Sequence, residues 1–289
     1  MQKTKSVKVK NMSKKPVLNK EGWTRVSEEW GRVMSPDRPS RYEIEIYEDY
    51  IRKIVQKSKK KIKALILGAT PELRDLLATY DIDVTIVDIN SDMIKAMDQL
   101  LEYSDGKEKT VVSNWLEIPL ESDSFDVVLC DHGVCHIPFE KWEAFFAEQA
   151  RLLKKGGHLI KNVVTVEKNE TLGADDMIAA FKNNIFTRDD KNYYYWSCII
   201  GMDDFEGKQH LKNFQDLDDQ LKKFLKGGVI TKKQFDFLKT FWHGFKATFP
   251  PKEVVDDIIS RSFIIKSIRS SAANRALTCY KIYFGQAKK

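Results

Sequence analysis

The chain has 289 residues, a net charge of +6 and 42% hydrophobic residues, enough to bury a substantial core. No run approaches the roughly 18 apolar residues of a membrane helix, and the basic start lacks the apolar stretch and cleavage site of a secretory signal. The expected setting is therefore cytoplasmic, without membrane insertion. Seven lysines precede the first acid, Glu21, and Lys288 and Lys289 close the chain, so these ends exceed the net charge and the body between them is acidic. Residues 1–20 read as a basic, solvated tail, and nucleic acid is not the expected partner. The cysteines Cys130, Cys135, Cys198 and Cys279 form neither a C-x-x-C pair nor a dense framework and are expected to be reduced, buried thiols. Cys130, His132, Cys135 and His136 cluster at a strand end, where successive side chains point to opposite faces; no metal is expected there.

In chain order, residues 21–60 predict two helices broken at Ser35-Pro36-Asp37-Arg38-Pro39, with Trp23, Trp30 and Met34 at helical spacing. That stripe reads as packing, with a lid over a ligand crevice as the other reading. A regular pattern begins at Lys61. KIKALILG (61–68) is a buried-strand run, PELRDLLATY a helix, DVTIVDIN (83–90) a second strand, and SDMIKAMDQLLEY (91–103) a helix with Ser91 as N-cap. Strands follow at 110–114 and 125–131, then a helix over 139–154, a Gly156-Gly157 turn and a strand over 158–166. Alternating strands and helices imply parallel βαβ units and an open, doubly wound sheet.

The alternation stops over 171–248, where helical patterns rich in aromatics predict an insertion covering an acceptor site; Thr231 and Gln234 have capping-box spacing. After Pro250-Pro251 come a helix, a strand over 264–270 and a strand over 276–287 joined by a short polar loop, hence antiparallel. The expected fold class is α/β: a Rossmann-like, mainly parallel seven-stranded sheet with an antiparallel last strand, built from 61–170 and 249–289, plus N-terminal helices and the helical insertion.

Open α/β sheets bind ligands beyond the carboxyl ends of their strands. Gly68 ends the first strand, Thr70 can cap the next helix, and Pro71 suits its first turn. The loop has neither G-x-G-x-x-G nor G-x-x-x-x-G-K-[ST], and Glu72 would repel a phosphate but suit a positively charged ligand. Asp88 ends the second strand, where a carboxylate accepts hydrogen bonds from a ribose diol. Ribose, positive charge and a small carboxylate together describe S-adenosylmethionine.

The stretch from Lys61 to Val166 resembles the class I S-adenosylmethionine-dependent methyltransferases. LILGATPELRDLL matches the first motif, VTIVDINSDMI the acidic motif, VVSNWLEIPLESDSFDVVLCDHGVCHI the third and fourth strands, and ARLLKKGGHLI the run into the fifth. The resemblance implies that Gly68, Ala69 and Thr70 line the methionine portion, that Asp88 holds the ribose, and that Ile89 and Met93 contact the adenine face. Asn114, with Trp115, would sit at the adenine edge, and Asp131, His132 and Gly133 under the sulfonium. The family's first motif usually carries three glycines; here it is LGATPE, read as a subfamily variant.

Methyl transfer is an in-line displacement that needs positioning and, for a hydroxyl or amine acceptor, a base. His136 is the first candidate and His132 the second. The aromatics Tyr193, Tyr194, Tyr195, Trp196 and Trp242 suggest a cover over a small or medium-sized acceptor, although the pattern also fits ordinary packing or a homodimer surface. The alternatives are a protein that binds S-adenosylmethionine or S-adenosylhomocysteine without turnover, a methyltransferase of protein or RNA, and a nicotinamide-dependent oxidoreductase. The last lacks the glycine fingerprint and a second βαβαβ half.

Overall fold

Short apolar runs followed by amphipathic helices lay the chain out as a sheet covered on both faces. The computed structural model describes residues 38–165, 211–213, 218–228, 230–233, 235–236, 246–270 and 280–289. Its first half runs α1 (Arg41–Lys57), β1 (Lys63–Leu67), α2 (Pro71–Ala78), β2 (Asp83–Asp88), α3 (Ser91–Asp98), β3 (Lys109–Val112), β4 (Phe125–Cys130), α4 (Trp142–Leu152) and β5 (Leu153–Val164). Then come β6 (Leu211–Asn213), α5 (Asp218–Lys226), β7 (Lys246–Thr248), α6 (Lys252–Ser262), β8 (Phe263–Ser270) and β9 (Tyr280–Ala287).

Seven strands form one sheet in the order β3-β2-β1-β4-β5-β9-β8. The five from β3 to β5 are parallel, and β9 runs antiparallel to both β5 and β8. The strand order reverses between β1 and β4, so the crevice for a ligand opens above that pair.

Side chains alternate across the sheet. Ala64, Ile66, Val127, Leu129 and Ile160 pack with Ile46, Tyr47, Ile51 and Leu73 under α1 and α2. Leu65, Leu67, Val128, Leu159 and Val163 meet Trp142, Phe145, Phe146, Val255 and Ile259 of α4 and α6. Each fully buried side chain of this size contributes roughly 1.5–3 kcal/mol. Ser40 and Glu43 form a reciprocal capping box that starts α1. Tyr50 of the same helix stacks on Phe284 at 4.5 Å and shares a 3.0 Å hydrogen bond with Ser267, which ties α1 to β9 and β8.

Several bounds differ from the sequence reading. Asn90, not Ser91, caps α3: its Oδ1 accepts from the N–H groups of Asp92 and Met93 at 2.8 and 3.4 Å. That helix stops at Asp98 because the backbone N–H groups of Glu102, Tyr103 and Ser104 donate to the Asp75 carboxylate at 2.7–2.9 Å, drawing the chain away. Phe139–Lys141 form a separate 3-10 turn before α4. No turn breaks the chain at Gly156-Gly157; β5 starts at Leu153, and the two glycines fall in a bulge between the pairs Phe125↔Leu153 and Val127↔His158. Within 171–248, α5 is a helix, but β6 and β7 pair antiparallel, a ladder that the helical reading did not contain. The basic tail, the first N-terminal helix with Trp23, Trp30 and Met34, Gln234, Cys198, Cys279 and the aromatics Tyr193, Tyr194, Tyr195, Trp196 and Trp242 lie outside the described residues.

Arg74 on α2 is 1% exposed and bridges Asp98 at 2.7 Å and Glu108 at 2.9 Å, joining α2, α3 and the start of β3. Burial works against its charge, while Glu108 and Asp98 hold it protonated. Arg74→Met leaves Glu108 without its counter-charge and should cost about 3–5 kcal/mol in urea unfolding. A loss below about 1 kcal/mol would show that the cluster is not structural.

Candidate active site

The carboxyl ends of β1, β2 and β4 place the candidate residues on one edge. Gly68, at φ +97, turns the chain out of β1 and donates its N–H to the Val87 carbonyl at 2.9 Å. That backbone conformation favours glycine. Ala69 is buried; Thr70 occupies the N-cap position of α2 but makes no side-chain cap, and Pro71 supplies the first helical residue. Glu72, expected as an open charge at this helix start, is paired with Arg38, whose Nε donates to Oε1 at 2.8 Å.

Asp88 ends β2 at 8% exposure and accepts the Asn90 N–H on Oδ1 at 2.8 Å. Burial pushes its carboxyl up to about 6, against the backbone N–H groups of Asn90 and Ile89, which favour the ionised form. Met93 is buried just beyond, on the first turn of α3. After β3, Asn114 Oδ1 accepts the Leu116 N–H at 3.1 Å. The indole N–H of Trp115 donates to the Val87 carbonyl at 2.8 Å.

That indole crosses the crevice floor. A Cβ added to Gly68 would lie 3.7 Å from the ring, and one added to Gly133 would lie 2.9 Å from it. Gly133 also sits at φ +70 and follows His132 at φ +47, so two successive left-handed residues bend the chain after β4. Gly68, Trp115 and Gly133 are thus brought together. Val134 N–H donates to the His132 carbonyl at 2.7 Å, and Lys161 Nζ donates to the same oxygen. His136 closes the following 3-10 turn, its N–H donating to the Gly133 carbonyl at 3.1 Å. Burial first, then Lys161 and His136, press His132 down to about 3.

Four residues joining this edge escaped the sequence reading: Glu43, Tyr47, Lys161 and Asn162. Asn162 Nδ2 lies 3.0 Å from Glu43 Oε1, 3.2 Å from Asp131 Oδ1 and 3.2 Å from His132 Nε2. Tyr47 donates to Asp131 Oδ1 at 3.3 Å and to the Cys130 carbonyl at 3.2 Å. Lys161 is fully buried, 2.8 Å from Cys130 Sγ and above the Phe145 ring. Two signals were present: the Ser40-x-x-Glu43 spacing, and a Lys-Asn pair inside the apolar run of β5. The Cys130 thiol, pushed up by burial, points into the core with Lys161, so the Cys130, His132, Cys135 and His136 cluster is not assembled as one group.

The Asp88 carboxyl is held above the usual carboxylate range, so the folded chain takes up its proton near pH 6 and the unfolded chain near 3.9. Its burial therefore opposes folding above pH 6, an opposition that fades as pH falls towards 4. Asp88→Asn, which keeps an acceptor for the Asn90 N–H, should stabilise the protein by about 1–3 kcal/mol at pH 7 and by almost nothing at pH 4. Equal stability at pH 7, read from paired urea curves, would contradict this account.

A family model described as a methyltransferase domain matches residues 67–161. No curated protein matches the sequence. Among solved structures, a Rhodobacter sphaeroides protein provisionally named a zinc-dependent alcohol dehydrogenase is 16% identical, covering 93% of this chain and 98% of its own, with a TM-score of 0.59. A protein from Pyrococcus horikoshii is 15% identical over 90% of this chain and 99% of its own, with a TM-score of 0.51. A provisionally assigned O-methyltransferase from Nostoc punctiforme is 9% identical over 91% of this chain and 59% of its own, with a TM-score of 0.51. At such identities the likeness is one of fold. Residues 67–161 are similar to a methyltransferase domain, and the chain around them has a Rossmann-like fold.

Proposed function

We propose that the protein transfers a methyl group from S-adenosylmethionine to a small or medium-sized molecule by in-line displacement, with the donor held across β1, β2 and β4. The observation that carries this reading is the crevice floor itself: Gly68, the Trp115 indole and Gly133 side by side, with the Asp88 carboxylate at the end of the adjacent strand. In this reading Gly68, Ala69 and Thr70 line the methionine portion, and the absence of a Cβ at Gly68 lets the ligand approach the backbone. Asp88 accepts the ribose hydroxyls, each charge-assisted bond contributing roughly 1.5–3 kcal/mol. Ile89 and Met93 contact the adenine face, Asn114 its edge, and Asp131, His132 and Gly133 lie under the sulfonium.

The cofactor supplies a methyl group on a positively charged sulfur. The chain's residues have to orient the two reactants, exclude water and, where the acceptor has a proton to lose, take it. Of the two histidines expected in that role, His132 accepts a proton poorly at neutral pH because its conjugate acid is held near 3. His136 is the stronger candidate.

Calorimetric titration with S-adenosylmethionine and with S-adenosylhomocysteine tests the reading. Micromolar binding of both is expected, reduced at least a hundredfold in Asp88→Ala. Because the ribose needs the ionised carboxylate, and Asp88 titrates near 6, affinity should fall about tenfold per pH unit below that value and level off above it. Absence of binding to folded wild-type protein, or full affinity in Asp88→Ala, would refute the site.

A further inference from the structure

The carboxyl ends of β4 and β5 carry an acidic group of which the reading above uses only Asp131 and His132, as a wall under the sulfonium. Glu43 and Asn162 are 1% and 0% exposed, and Asp131 is 9% exposed. Glu43, Asp131 and His132 offer ligand atoms within 4.8 Å of one another, the spacing of a metal site. However, Asn162 Nδ2 already stands 3.0–3.2 Å from all three, a hydrogen-bond spacing that leaves no room for an ion with bonds of roughly 2.0–2.2 Å.

What is left over is acceptor capacity. Among the described residues, Asn162 Oδ1 and Glu72 Oε2 are buried and find no hydrogen-bond partner. Asp131 takes both its hydrogen bonds, from Tyr47 and Asn162, on Oδ1, which leaves Oδ2 available. Asp131 is held well above the carboxylate range by burial and then by the charge of Glu43, with Glu72 adding to it. Among the described residues, Arg38 is committed to Glu72, and Lys161 to the His132 carbonyl and the Cys130 thiol. Each buried acceptor without a donor costs about 1–3 kcal/mol. A ligand group with several N–H donors and a positive charge removes that cost; a hydroxyl brings one donor and no charge, and an anion would be repelled.

We propose that this acidic group receives an ammonium, and that the methyl acceptor is a primary or secondary amine held by Asp131. The inference rests on the methyltransferase reading and names its substrate class. Binding of the ammonium sends the proton that burial holds on Asp131 to solvent, and the bound ammonium then gives one proton to Asp131 Oδ2, which for this acceptor replaces His136 as the base. The nitrogen lone pair then forms the N–CH3 bond as the C–S bond breaks, and the bonding pair stays on sulfur. Positive charge thus passes from sulfur to nitrogen, where the acids stabilise it. The balance is ammonium plus sulfonium giving methylated ammonium, thioether and one proton, which leaves Asp131 for solvent.

The test offers full-length protein methyl-labelled S-adenosylmethionine with a set of primary and secondary alkyl- and arylalkylamines and, in parallel, the matching alcohols. The best acceptor is then titrated calorimetrically into the S-adenosylhomocysteine complex of wild type and of Asp131→Asn. This isosteric change keeps an acceptor for Tyr47 and removes the carboxyl that takes the proton. The expected result is label in amines only, with Asp131→Asn raising the amine KM and Kd at least tenfold, several times more than either cofactor affinity falls. Label confined to alcohols, or in neither set although wild type binds the cofactor, overturns the proposal. So does a loss of S-adenosylmethionine and S-adenosylhomocysteine affinity in Asp131→Asn as large as the loss of amine affinity, which would assign the acidic group to the cofactor's own ammonium. Wild-type protein that binds neither cofactor would overturn the methyltransferase reading together with the inference.

Discussion

One row of paired residues across the sheet governs where everything else can stand. Val111 pairs with Val87, Val87 with Leu67, Leu67 with Cys130, Cys130 with Lys161, Lys161 with Tyr283 and Tyr283 with Ile268. The residues just past that row are Gly68, Asp88 and Asp131, with Asn114 three further along from Val111. A slip of one residue in any pair would move a whole strand's side chains to the wrong face. The register is held by buried aliphatics on both faces, so the level of the crevice floor is set by core packing and not by the polar groups that use it.

The loop after β4 is clamped from both sides by neighbouring residues of one strand. Lys161 and Asn162 are consecutive on β5 and point to opposite faces. Lys161 reaches the His132 carbonyl on the α4 side, and Asn162 reaches Asp131 and His132 towards α1. A non-glycine residue in the left-handed region costs of order 1 kcal/mol or more, and His132 is one. It persists because its carbonyl has two donors, Val134 N–H and Lys161 Nζ.

Sequence periodicity carried the strands of the seven-stranded sheet, the helices beside them, the final antiparallel pair and the positions of Gly68 and Asp88, because each depends on neighbours a few residues away; it did not carry the β6–β7 ladder. The features it missed depend on distant partners. Asp75 ends α3 from a position 27 to 29 residues earlier. Arg38 takes the Glu72 charge from 34 residues away, so an acid that looked open in the sequence is paired in the fold. Glu43 meets Asn162 across 119 residues, a contact that no local pattern contains. The Gly156-Gly157 pair has the composition of a turn, but the β4 pairing on either side of it draws the chain into a bulged strand.

These long-range contacts also explain why the acids can be buried. A buried carboxyl is tolerated when hydrogen bonds surround it and burial keeps its proton on until a cation arrives. Cys130 and Asp131 are consecutive, so the strand's period of two sends the thiol to the face with Lys161 and the carboxylate to the face with Glu43 and Asn162. A cation on one side of the strand end and acids on the other give the crevice a fixed polarity. That polarity favours a reaction in which positive charge moves along the crevice over one in which negative charge develops within it, and it arises from two strands ending side by side with a polar pair each.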